Sequence, residues 1–127
     1  MGTEYTLHLE TGWLRVENAD DFEIIPEGVL RQHRDIIAAC REHGVNRVLV
    51  RGKGAVRRLR SFDAFKNAES LSTASVPGLK LAIFLEGHVP DGLTDFFVNA
   101  SSNRGVPVAF FPDEAAARKW LGIPAGT

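Results

Sequence analysis

The chain predicts a single α/β domain built on one mixed sheet flanked by helices. Three observations lead there. Short strand-like runs and amphipathic stretches alternate along the chain with short connections, the pattern of an α/β layer around one sheet. The run Leu79–Leu85 is apolar except for Lys80, as expected of a strand covered on both faces. Around Val106–Phe111, helix-spaced stretches carry their own start and stop signals.

Taken in order, Tyr5–Glu10 alternates with Tyr5, Leu7 and Leu9 on one face. Thr11-Gly12 makes a turn and Trp13–Glu17 returns, so the pair reads as a hairpin with one buried and one wet face. Pro26 and Glu27 suit the first turn of a helix that ends before Gly44. Its apolar positions are Val29, Leu30, Ile36, Ile37 and Cys40, with His33 between them as a half-buried boundary residue. Val45–Val50 supplies a third strand without proline, which suits the interior of the sheet. Ser61 caps a further helix carrying Phe62, Phe65, Ala68 and Leu71 inward, and a polar loop leads to the interior strand Leu79–Leu85.

Leu93, Phe96, Phe97 and Ala100 fall at i, i+3, i+4 and i+7, one helical stripe. Asp91 is placed to cap its start and Gly105 to end it in a left-handed conformation. Pro107 cannot donate to a ladder, so Val106–Phe111 belongs at an edge, or Pro107 at the strand's entry. The last helix has Asp113 as N-cap, Glu114 in its first turn, Arg118 and Lys119 in its last, and Gly122 after it. Ala117, Trp120 and Leu121 form its inward stripe. One domain over residues 1–127 is expected, with loose ends at 1–4 and 123–127.

At 127 residues the chain can bury roughly two-thirds of its unfolded surface, so it needs neither metal nor disulfide to fold. Cys40 is the single cysteine, which excludes an intrachain disulfide and a multi-cysteine metal site. On the apolar side of its helix it reads as a small buried hydrophobe. Fifteen basic against sixteen acidic residues leave a net charge of −1, so no global field recruits nucleic acid or membrane. The N-terminal residues lack a basic and apolar leader pattern, and no run reaches the roughly 20 apolar residues of a membrane span. A cytoplasmic protein is expected, without a cofactor.

Known catalytic patterns are missing: no nucleophile elbow, no Walker loop, no His-Glu-x-x-His. Glu86-Gly87-His88 offers too few ligands for zinc. His8 and the paired acids Asp20 and Asp21 read as solvated surface. Asn99-Ala100-Ser101 matches a glycosylation sequon but sits on a helix. What stands out is Arg51–Arg60, with five basic residues, two glycines and no acid. Lys53, Arg57, Arg58, Arg60 and Ser61 form the candidate anion- or partner-binding site. The connection after a central strand lies at its carboxyl end, where ligands bind in α/β sheets. A helix starting at Ser61 adds free N–H groups and its dipole, and the arginines add bidentate donors. The competing reading is a solvated basic loop balanced by acids elsewhere. Nucleic acid is disfavoured because no aromatic platform is interleaved with the basic residues.

Lys80-Leu81-Ala82-Ile83-Phe84, Phe96-Phe97, Asn103–Val108, Phe110 and Ala115–Leu121 together resemble the bacterial STAS/SEC14-like family. The element order resembles the SpoIIAA-like fold of STAS (sulfate transporter and anti-sigma factor antagonist) domains. The resemblance implies a non-enzymatic domain that binds a protein partner or an apolar ligand, and it transfers no catalytic residue. Regulatory members carry a phosphorylatable serine in an Asp-Ser-Ser/Thr-Gly motif at the start of the helix after the central strand. Ser61 stands near that place, in Arg60-Ser61-Phe62-Asp63, without the preceding Asp or the following Gly. A carrier of a lipid or other apolar molecule is the alternative, lined by Phe62, Phe65, Phe84, Phe96, Phe97, Phe110, Phe111 and Trp120. An enzyme of unrecognised class is the lesser one.

Overall fold

The structure is a computed structural model that describes residues 5–19, 26–53, 76–86 and 92–124. Five strands form one sheet: β1 (Tyr5–Leu9), β2 (Leu14–Asn18), β3 (Arg47–Lys53), β4 (Lys80–Glu86) and β5 (Val108–Phe111). Their spatial order is their sequence order. β1 and β2 pair antiparallel, and β2, β3, β4 and β5 run parallel. The sheet is therefore mixed, with β3 and β4 interior and β5 at an edge, as the apolar runs and Pro107 predict. Three described helices flank it: α1 (Pro26–His43), α2 (Gly92–Asn103) and α3 (Glu114–Leu121). The helix expected from Ser61, and the Asp91 cap, lie outside the described residues.

Register sorts the side chains into two faces because successive residues of a strand point to opposite sides. Val16 lies beside Val50, Val50 beside Ile83 and Ile83 beside Phe110, one apolar row across four strands. Leu14, Val48, Leu81 and Val108 make the next row. Ile36 and Cys40 from α1, and Phe97 from α2, belong to the same buried cluster. The opposite face carries a smaller cluster: Trp13, Leu49 and Ala82, with Ala117 and Leu121 from α3.

Local signals explain where the elements stop. At Gly12 the positive φ of 83° turns the hairpin, closed by Glu10 N–H donating to the Trp13 carbonyl at 2.8 Å. Gly105, at φ 84°, follows α2, and the Val106 N–H returns to the Ser101 carbonyl at 3.0 Å. Asp113 is extended and its carboxylate accepts from the Ala116 N–H at 2.8 Å, an N-cap. Gly122, at φ 73°, ends α3 with its own and the Ile123 N–H turned back on the helix carbonyls.

The strands and the C-terminal end depart from expectation at four points. Leu9 was placed on an inward face but is 49% exposed; it sits at the hairpin tip of an edge strand with a ladder neighbour on one side. Trp13 precedes β2 and is buried on the opposite face, so the hairpin's second face is not wholly wet. β3 extends through Arg51, Gly52 and Lys53, which the basic composition assigned to a loop. Ile123 packs on the second cluster and the Pro124 carbonyl accepts from Arg118 at 2.9 Å, so these two residues of the expected loose end are held, while 125–127 lie outside the described residues.

Candidate functional site at the carboxyl end of the sheet

Because β2, β3 and β4 run parallel, their last residues Asn18, Lys53 and Glu86 gather at one end of the sheet. Lys53 pairs with Glu86 across the ladder. Of the five candidate residues, Lys53 is thus placed at the end of the middle strand. Arg57, Arg58, Arg60 and Ser61 lie outside the described residues. Arg51, two residues earlier, is engaged within the protein: one guanidinium nitrogen is 2.9 Å from Glu114 and another 3.6 Å from Glu17. Its charge is balanced there rather than presented at the strand end.

On the α1 side the same end carries a polar group of residues. Asn18 lies beside Gly52 on adjacent parallel strands, one position after the Glu17–Arg51 pair. A Cβ at position 52 would come within 2.8 Å of the Asn18 Cβ, so glycine is what lets Asn18 lie across β3. From α1, Gln32 Nε2 donates to Asn18 Oδ1. Gln32 is 5% exposed and its neighbour His33 4%, with the His33 ring stacked on Phe97 at 5.9 Å. The expected half-buried boundary histidine is therefore fully buried, held under α2 by an aromatic contact. Nearby on the helix, Asp35 accepts from the Tyr5 hydroxyl at 2.5 Å. Burial first, and then the Asp35 carboxylate, push the Tyr5 hydroxyl up to about 12, while Arg31 opposes them. The phenol stays protonated and acts as a donor.

Sequence reading missed Gln32 and Asn18. Gln32 stands four residues before Ile36 and eight before Cys40, on the buried stripe of α1. That spacing was the available signal. A polar residue on such a stripe must be hydrogen-bonded, because an unpaired buried amide costs roughly 1–3 kcal/mol. Cys40 is buried as expected, and burial pushes its thiol up to about 11, away from thiolate chemistry. Asn99 is exposed, but Ser101 of the sequon has no exposed surface, and its hydroxyl has no hydrogen-bond partner among the described residues.

Among the described residues, no group of three or more His, Cys, Asp or Glu side chains could hold a metal ion. Glu86 ends β4, and His88 lies outside the described residues. No described helix is long and apolar enough to cross a membrane. Neither a protein-family model nor a curated protein matches this chain.

Proposed function

We propose that this chain is a non-enzymatic binding module of the SpoIIAA-like, STAS type, whose basic segment from Lys53 to Ser61 contacts an acidic partner surface or a phosphorylated ligand. One observation carries the reading. β3 is the middle strand, parallel to both neighbours, and its last residue opens the basic segment at the carboxyl end of the sheet. That end is where α/β sheets bind ligands, since helix starts and loops converge there. The described elements, hairpin, helix, strand, strand, helix, strand, helix, make an α/β mixed sheet flanked by helices, the fold class this reading requires. The described aromatics favour this reading over an apolar carrier. Phe97 meets Phe110 edge-on at 6.5 Å and Phe111 meets Trp120 at 5.4 Å, the contacts of a filled core.

Titration of 15N-labelled protein with inorganic phosphate at low salt tests the site. Amide shifts should concentrate on residues 53–61 and shrink as salt rises, since the attraction is screened over about 8–10 Å. An Arg57→Glu/Arg58→Glu double variant should abolish them while leaving thermal stability nearly unchanged. Shifts scattered over the surface, or unchanged in the variant, would leave the segment as solvated surface.

A further inference from the structure

We propose that α3 is a clasp: it opens from the sheet as its own cooperative unit, ionic strength sets how often, and opening uncovers the apolar strip of Trp13, Leu49 and Ala82. The inference concerns conformation and stands apart from the anion site. Its first support is the thinness of the apolar anchor. α3 has eight residues, far fewer than a helix needs to persist alone, and its buried side chains are Ala117 and Leu121.

The second support is what fastens it. At the amino end, Glu114 is 2.9 Å from Arg51 on β3 and 2.6 Å from Arg118 one turn on. At the carboxyl end, Arg47 Nε donates to the Leu121 carbonyl at 3.1 Å and Lys80 Nζ to the Trp120 carbonyl at 2.7 Å. Two cations of the sheet thus cap the helix where its dipole is negative. The last turn also carries cation–aromatic contacts: Arg118 lies 4.9 Å from the Trp13 ring centre and Lys80 4.2 Å from that of Trp120. The side chains of Arg51 and Glu114 are 35% and 25% exposed, within reach of counterions.

Salt therefore separates the two kinds of attachment. Added salt screens partly exposed ion pairs and cation–dipole contacts, whereas apolar packing does not weaken with it. Partly opened states that differ in this way are a general property of folded chains.

Hydrogen exchange followed by mass spectrometry on the intact protein, at 20 mM and 500 mM sodium chloride, provides the test. Amides of residues 114–121 should exchange faster than those of β3 and β4 at low salt. They should speed up by about fivefold at high salt, equivalent to about 1 kcal/mol lost in all as these contacts are screened, while β3 and β4 change little. In parallel, Glu114→Gln should raise the low-salt rate in α3 and flatten its salt response. Exchange of α3 in step with β4, or indifferent to salt, would overturn the proposal.

Discussion

The two faces of this sheet are held by different physics. Against α1 and α2 the sheet presents rows of Val, Leu and Ile, and both helices answer with apolar side chains. Against α3 it presents Leu49 and Ala82 among Arg47, Arg51 and Lys80, which grip a short helix by its carbonyls and its first carboxylate. The alternation of side chains makes this possible within one strand: Val48 and Val50 face one way while Arg47, Leu49 and Arg51 face the other. An interior strand is thus not uniform in what it contributes. One side is cohesive whatever the ionic conditions, and the other depends on them.

The largest effect should come from breaking the first face. Leu81→Ala, at a fully buried position of β4, should cost about 3–5 kcal/mol through lost transfer energy and the cavity left behind. Urea unfolding should show it as a lower midpoint in every probe, because this face belongs to the global transition. A loss under about 1 kcal/mol would place the cohesion elsewhere. Gly52→Ala acts at the carboxyl end of the same face, where the new methyl meets the Asn18 Cβ, and should cost about 1–3 kcal/mol by overpacking. Adding Asn18→Gly should recover part of that loss, and no recovery would show that the strain lies in β3 itself. The smallest effect tests whether the first face is indifferent to charge. Cys40 is its one titrating thiol with a raised value, lifted from 9.0 to about 11 by burial. The folded state holds its proton after the unfolded chain has released it, so its contribution is complete below pH 9 and is lost as pH rises toward 11. Comparing thermal unfolding of the wild type and Cys40→Ala across that range should show the extra alkaline decline only in the former.

The difference between the faces also decides what the sequence could reveal. The first face was legible because its strands and helices repeat apolar residues at the periods of their own geometry, from Leu81 and Ile83 to Ile36 and Cys40. The second was legible only at α3, whose caps Asp113 and Gly122 are local signals. That Arg51 would serve Glu114, sixty-three positions away, depends on register and packing that no local pattern encodes. The same limit applies at the candidate site. Basic composition marked Lys53 and the residues after it, but could not show that the strand runs to Lys53. Nor could it show that Asn18 and Gln32 meet over Gly52.

Strand order equal to sequence order has a kinetic meaning. None of the described strands has to be inserted between two that are already paired, so each can join an existing edge as soon as its connection closes. The loop to be closed at each step is one connection long, which keeps the entropy cost of the transition state low for a mostly parallel sheet. Synthesis from the N-terminus delivers the strands in that order at about 5–20 residues per second, slower than the closure of such loops. The hairpin can wait for β3, and β3 for β4, each offering an open edge to the next strand. Growth along the ribosome and growth across the sheet then proceed in the same direction.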